Sequence, residues 1–156
     1  MEPTQLRSFI RRVLEQEELT GRAPVELLML TAAQETHLGK YLFQIKGPAK
    51  GIFQIEPNTE ALVWEWTARE RPEKLSSLMA LSTGFFDLEG NLAYQVLLAR
   101  LNYLSWPYPI PEVSGEVQDQ EILDLAKYWK RFWNTKHGAG TVDEAVENYK
   151  RFVLEG

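Results

Sequence analysis

The chain of 156 residues contains no cysteine and only two histidines, His37 and His137. Without cysteine the fold cannot depend on disulfides or on a thiolate metal site, and redox chemistry says nothing about the compartment. A catalytic zinc site normally needs three protein ligands, which two distant histidines do not supply. We therefore expect no metal and no cofactor.

A long apolar run and a basic leader are also missing. The longest apolar stretch, near residues 25–33, is too short and too interrupted to span a bilayer. The first four residues, from Met1 to Thr4, are not a basic region that leads into an apolar one, so no signal peptide is predicted. We therefore expect synthesis in the cytoplasm and no stable insertion in a membrane.

The sequence shows no surplus of positive charge. Its formal net charge is -5, whereas a nucleic-acid-binding protein usually presents a basic face, so nucleic acid is not an expected partner. The acidic balance also counts against an enzyme that works on anionic bacterial envelopes. Hydrophobic residues make up 44% and no linker or repeat divides the chain, which predicts a single globular domain over residues 1–156. The oligomeric state stays open, with a monomer favoured.

Apolar residues recur at helical spacing along most of the chain, which predicts a mainly α fold of about six or seven helices. The second predicted helix is apolar nearly all round, which is typical of a central buried helix. Three prolines within residues 106–111 predict a loop there. The helices are predicted from Thr4 to before Gly21, from Pro24 to about His37, from Pro57 to about Glu70, and over residues 74–81, 91–105, 118–133 and 141–153.

The segment of residues 41–55 differs from the rest. Two short β-prone runs, one with Tyr41, Phe43 and Ile45 and one with residues 52–55, flank a turn at Gly47-Pro48. This pattern predicts a small β-hairpin or an ordered loop directly after the second helix.

Glu35 is the strongest candidate for a catalytic residue. It lies in the last turn of the apolar second helix. Apolar surroundings disfavour the charged form of a carboxyl, and so does the partial negative charge at a helix C-terminus. A carboxyl that stays protonated near neutral pH can donate a proton to the oxygen of a glycosidic leaving group. From its position alone, an ordinary exposed Glu at a helix end would be the better explanation.

The residues around Glu35 resemble a known family. The run from Ala33 to Gly39 is followed by Gly51-Ile52-Phe53-Gln54-Ile55-Glu56-Pro57-Asn58-Thr59. This resembles the goose-type lysozyme and lytic transglycosylase superfamily, in which a Glu-Ser pair at a helix end precedes a Gly-Leu-Met-Gln-Ile-x-Pro-x-Thr run. Thr36 replaces the usual Ser. Two motifs at suitable spacing are a much stronger signal of this resemblance than either motif alone. The match covers residues 27–59.

The resemblance implies a lysozyme-like fold that cleaves the glycan of peptidoglycan, with roles for individual residues. Glu35 would be the acid and then the base, Thr36 would hold it or contact the sugar, Gly51 would let the glycan approach the backbone, and Gln54 would bind substrate or orient Glu35. Trp133-Asn134-Thr135 stands where the family has Tyr-Asn-Ala-Gly, with Tyr128 as an alternative for the aromatic role. The segment Asn91-Leu92-Ala93-Tyr94 is similar to an Asn-led helix of the family.

The likeness extends to compact wall enzymes encoded by bacteriophages. Such a protein would act on the bacterial cell wall after release from the cytoplasm or as a component of the virion. Common phage lysozymes of another subclass carry an aspartate nine residues after the catalytic Glu, but that position is Gln44 here. This subclass therefore does not fit.

The reaction type depends on a second carboxylate, which two-carboxylate glycosidases require. Glu56, Glu60, Asp87 and Glu89 are available, and an exposed surface position is the simplest interpretation of each. A single carboxylate favours a lytic transglycosylase, which forms 1,6-anhydro products. A hydrolytic muramidase is an alternative. So are a non-catalytic wall-binding or virion protein of the same fold and a helical interaction domain with an accidental motif.

Aromatic residues are abundant, with five Trp and six Tyr. Sugars bind by stacking on aromatic rings while polar groups fix their orientation. Trp64, Trp66 and Trp106 are the candidate platforms for a glycan, although core packing accounts for most Trp residues in helical domains.

Overall fold

The computed structural model describes residues 1–44, 47–134 and 138–156, and these residues form eight α-helices and no strand. The mainly α prediction is therefore confirmed. The helices are α1 (Pro3–Gln16), α2 (Arg22–Thr36), α3 (Pro57–Glu70), α4 (Pro72–Leu81), α5 (Asp87–Gly90), α6 (Leu92–Leu104), α7 (Asp119–Trp129) and α8 (Val142–Tyr149).

Helix α1 shows how the apolar spacing produces a buried face. Leu6, Ile10 and Leu14 recur every four residues and are all buried in the core. The residue that caps the N-terminus of α1 is Glu2 rather than Thr4, where the predicted helix begins. The carboxylate of Glu2 accepts hydrogen bonds from the backbone N–H groups of Thr4 and Gln5. The helix also ends at Gln16, well before Gly21.

Helix α2 is the central helix, as its apolar sequence predicted. It contacts α1, α6, α7 and α8, and residues 24–33 are all buried. His37 follows its last turn in the left-handed conformation and closes the helix by donating its backbone N–H to carbonyls of the last turn. The last turn of α2, which carries Glu35, is therefore held in place by packing on several sides.

Two helices end in a wider turn than the sequence predicted. Residues Lys130–Asn134 continue α7 as a π-helical turn, and Lys150–Leu154 continue α8 in the same way. Single π turns inside helices often occur at functional sites. The turn after α7 contributes Trp133 and Asn134 to the surface beside α2.

The predicted β-hairpin is not supported. The described residues of the 41–55 segment form a loop with two isolated antiparallel bridges, Phe43 with Lys50 and Lys50 with Ile55. Gly51 and Gln54 both have positive φ, which breaks the extended conformation that a strand needs. Ile45 lies outside the described residues.

A buried charged network ties α1, α2 and α8 together. Glu26, only 3% exposed, accepts two hydrogen bonds from the Arg7 guanidinium at 2.9 and 3.1 Å. The Tyr149 hydroxyl donates a third at 2.6 Å. The hydrogen bond to Glu26 raises the pKa of Arg7, so the guanidinium stays charged at every physiological pH.

Replacing Glu26 with Gln is expected to lower the free energy of unfolding by about 2–3 kcal/mol, because an amide cannot accept all three hydrogen bonds and leaves Arg7 without its counter-charge. Urea denaturation measures this loss. Glu15→Gln is the matched control, since its pair with Arg11 is exposed and is expected to contribute less than about 0.5 kcal/mol. Equal losses in the two variants would contradict the assignment.

Candidate active site

Glu35 lies at the wall of a cleft between the end of α2, the 41–55 loop, α3, α6 and the turn after α7. The cleft has a volume of about 440 Å³. Its lining is more polar than apolar and combines carboxyl, amide, hydroxyl and indole groups. The lining residues are Glu35, Gln44, Ala49, Gln54, Ile55, Glu56, Thr59, Asn102, Trp133, Asn134 and Gly138.

The protonation of Glu35 is set by its surroundings. Burial against the apolar end of α2 raises the pKa of this carboxyl from an ordinary 4.5 to about 7. A hydrogen bond from Trp129 partly opposes that effect, because it stabilises the ionised form. At neutral pH, Glu35 therefore exists as comparable amounts of acid and carboxylate, which suits proton transfer in both directions.

Trp129 is the hydrogen-bond partner of Glu35, and sequence analysis did not assign it to the site. Its indole Nε1 donates to Oε1 of Glu35 at 3.3 Å, and the ring is completely buried. Trp129 follows Ile122, Leu125 and Ala126 at helical spacing, which predicts a position on the core face of this helix, and its burial confirms that position. Glu35 lies 94 residues earlier in the chain, so no local pattern could identify it as the hydrogen-bond partner of this N–H.

Gln54 lies in the cleft with Glu35. Its backbone has a φ of 52°, which is uncommon for a residue with a side chain. Paired backbone hydrogen bonds between Lys50 and Ile55 hold this turn, and the Gln54 side-chain Nε2 donates to the carbonyl of Gly51 at 2.9 Å. Gln54 lines the cleft, and none of the described residues donates a hydrogen bond to its side-chain oxygen.

Thr36 does not take the predicted sugar-binding role. Its side chain is completely buried, and its hydroxyl donates to the carbonyl of Ile52 at 2.7 Å and accepts from the N–H of Gly39 at 2.8 Å. A fully buried hydroxyl offers no surface to a sugar. Thr36 instead joins the end of α2 to the loop that carries Gln54.

Gly51 is packed closely against other parts of the fold. A Cβ at this position would lie 2.0 Å from the carbonyl oxygen of Leu88 and 2.3 Å from Oε1 of Gln95. Its φ of 80° lies in the left-handed region that favours glycine. In this structure α5 and α6 approach the Gly51 backbone closely, and the predicted approach of a glycan stays a prediction.

The aromatic and amide candidates separate into two groups. Trp133 and Asn134 line the cleft with Glu35, whereas Tyr128 is 7% exposed and donates its hydroxyl to the carbonyl of Tyr108 at 2.8 Å. Tyr128 is absent from the cleft lining and packs against Phe132. Thr135 and His137 lie outside the described residues.

A second, more apolar groove continues from the cleft and shares Thr59, Asn102 and Trp133 with it. Its volume is about 350 Å³, and Trp66 and Trp106 line it, as predicted for candidate platforms. The third platform candidate behaves differently: the indole of Trp64 donates to the hydroxyl of Tyr94 at 2.8 Å and lines neither groove.

Of the four carboxylates available as a second acid, only Glu56 lines the cleft. Glu60 accepts a 2.6 Å hydrogen bond from Tyr94, and Glu89 pairs with Lys50 at 3.6 Å. Asp87 accepts hydrogen bonds from the loop of residues 82–84 and from Asn91, so it serves to fold that loop. Glu56 is therefore exposed, as predicted, and it also lines the cleft.

Asn102 and Thr59 complete the cleft from α6 and α3. Thr59 belongs to the second motif, so a local signal for it was present. Asn102 had no such signal, because only the packing of α6 against α3 brings it here. Asn91 does not line the cleft; it caps α6, where its side-chain oxygen accepts from the N–H of Tyr94.

Within residues 1–44, 47–134 and 138–156, no group of three or more His, Cys, Asp or Glu side chains is placed to hold a metal ion. His37 stacks on Phe152 with ring centroids 4.4 Å apart. None of the helices in this part of the chain has the length and apolar character needed to cross a bilayer.

Comparison with protein-family models, with curated proteins and with solved structures finds no match to this chain.

Proposed function

We propose that the protein is a peptidoglycan-cleaving glycosidase of lysozyme-like fold, with Glu35 as its general acid and base. The observation that carries the proposal is a carboxyl whose pKa is raised to about 7 at the wall of an open cleft lined by amide and indole side chains. Such a carboxyl can protonate a glycosidic oxygen at neutral pH. The motif from Gly51 to Thr59 adds the glycan between N-acetylmuramic acid and N-acetylglucosamine as the substrate class.

The favoured reaction is that of a lytic transglycosylase. Glu35 donates its proton to the glycosidic oxygen, and the bond from that oxygen to the anomeric carbon breaks with its electron pair on the oxygen. The substrate's acetamido group stabilises the positive centre. The substrate's 6-hydroxyl then attacks the anomeric carbon and returns its proton to the Glu35 carboxylate. A 1,6-anhydro sugar forms, and no water is consumed.

Hydrolysis is the second candidate, and the position of Glu56 favours it. Glu56 is exposed and shares the cleft with Glu35, so it could activate a water molecule for attack on the anomeric carbon. In that case the product would have an ordinary reducing end. Cleavage by either route would occur on the bacterial cell wall.

Digestion of purified peptidoglycan tests both routes. We expect the wild type to release muropeptides that are lighter by one water than reducing-end products, as measured by mass spectrometry. Glu56→Gln should release the same anhydro products at a rate within about threefold of wild type, because the transglycosylase route needs one carboxylate. Reducing-end products that disappear in Glu56→Gln would make the enzyme a hydrolase. No release where a control lysozyme works would overturn the proposal and favour a non-catalytic wall-binding protein.

A further inference from the structure

Trp129 contacts Glu35 in a way that restricts where the proton of the carboxyl can reside. An indole N–H can donate a hydrogen bond but cannot accept one. Because Nε1 of Trp129 points at Oε1 of Glu35 from the buried side, Oε1 must act as the acceptor. A protonated Oε1 would be a hydroxyl oxygen, which accepts a hydrogen bond less well than a carbonyl or carboxylate oxygen does.

We propose that Trp129 is a positioning residue that keeps Oε1 of Glu35 unprotonated and so places the acidic proton on Oε2. Glu35 lines the cleft, and none of the described residues makes a hydrogen bond to Oε2. This inference rests on the proposed function only for the destination of the proton, a glycosidic oxygen. The placement of the proton itself is a property of the free protein.

The same hydrogen bond favours the step after proton donation. When Oε2 gives its proton to the leaving oxygen, the carboxyl becomes an anion, and the indole hydrogen bond becomes charge-assisted and stronger. The donor is thus worth more after the transfer than before it, which is the condition for a catalytic contribution. When the 6-hydroxyl attacks, the proton returns to Oε2 for the same reason.

The ring of Trp129 is held in a fixed position. It is completely buried, and a Cβ on Gly140 would lie 2.8 Å from its Cη2 atom, so the turn of residues 138–140 covers its edge closely. The ammonium of Lys130 fixes that turn by donating to the carbonyls of Gly138 and Gly140 and to the side chain of Asn134. The indole N–H therefore needs no rearrangement during the reaction.

Other charged or titratable groups lie on the elements that form the cleft beside Glu35. Among the described residues these are Glu56 in the cleft, the buried phenol of Tyr103 from α6, and the Lys130 ammonium in the turn after α7. Within this described part of the chain, Trp129 rather than any of these three groups makes the hydrogen bond to the Glu35 carboxyl. A change confined to the indole therefore isolates its effect.

The titration of Glu35 in Trp129→Phe tests this inference without any substrate. The ¹³C resonance of the Glu35 carboxyl is identified by its loss in Glu35→Gln. Its midpoint is expected to move upward by about one pH unit in Trp129→Phe, because the anion loses a charge-assisted donor. Trp64→Phe is the matched control, since it removes an indole that donates to Tyr94, and its Glu35 midpoint should stay at the wild-type value.

Two measurements remain decisive if Trp129→Phe folds poorly. In the unmodified protein, the indole N–H resonance of Trp129 should titrate with the midpoint of Glu35. At low pH, the C=O stretching band of protonated Glu35 should lie at the lower frequency of a hydrogen-bonded carbonyl. An indole resonance that ignores the Glu35 titration, or a band at the frequency of a free carbonyl, overturns the proposal. If both signals behave as expected but peptidoglycan is not cleaved, the proposed function fails and the proton placement stands.

Discussion

Replacing Glu35 with Gln is expected to lower the rate of peptidoglycan cleavage by about 10²- to 10⁴-fold, the usual contribution of a general acid or base. The amide is nearly the same size and can still accept the indole hydrogen bond of Trp129, but it has no proton to donate at neutral pH. Release of muropeptides from purified peptidoglycan measures the loss. Glu65→Gln, which changes an exposed residue of α3, should retain wild-type activity.

Glu35→Gln is also expected to be more stable than the wild type above pH 7. Between the ordinary pKa of 4.5 and the raised value of about 7, folded Glu35 holds a proton that the unfolded chain has released. Wild-type stability therefore falls across this window as the pH rises, by as much as about 3 kcal/mol, and is level above it. Gln has no such dependence. Urea denaturation at pH 4 and pH 8 should show a gain for Glu35→Gln at pH 8 alone, and a loss at pH 8 would contradict the raised pKa.

Replacing Gly51 with Ala is expected to lower the free energy of unfolding by more than about 4 kcal/mol, because the new Cβ would lie 2.0 Å from a backbone carbonyl that cannot move aside freely. Gly84→Ala is the matched control. Gly84 has a similar φ of 72°, but a Cβ at this position would meet nothing within 4 Å, so only the left-handed backbone is strained, at about 1–2 kcal/mol.

Urea denaturation of both glycine variants separates the contact from the backbone strain. The difference between them measures the close packing of the 41–55 loop against α5 and α6. Equal losses would mean that the backbone conformation alone requires glycine at position 51. Because Gln54 lies three residues later and bonds to the Gly51 carbonyl, any Gly51→Ala protein that folds should also cleave more slowly.

Local signals predicted the helices well. Pro57 and Pro72 stand at the first turns of α3 and α4, and the prediction for α3 matches its observed bounds. The short α5 was not predicted, because four residues are too few to show a periodicity. The π turns after α7 and α8 were also missed, since apolar spacing does not distinguish an α turn from a π turn.

The site was predicted as far as neighbours in sequence could define it. Glu35 and Gln54 lie in one cleft because the loop between them is short and is tied to α2 by Thr36. Burial of Thr36 leaves its other predicted role, holding the end of α2 that carries Glu35, and Gly51 is closely packed within the fold. A motif marks residues that build a site as well as those that contact a ligand. Trp129 and Asn102 were not predicted as site residues, because only the tertiary packing of the helices brings them to the site.

The burial of α2 has a consequence for how the two sides of the cleft move. A segment in contact with most other helices of a domain exchanges its amide hydrogens only when the whole domain opens, whereas loops and terminal segments open locally at lower free energy. Glu35 is carried by such a segment, while Gln54 belongs to a loop. Local fluctuations can therefore reshape the side of the cleft that carries Gln54, but Glu35 keeps its position until the protein unfolds cooperatively.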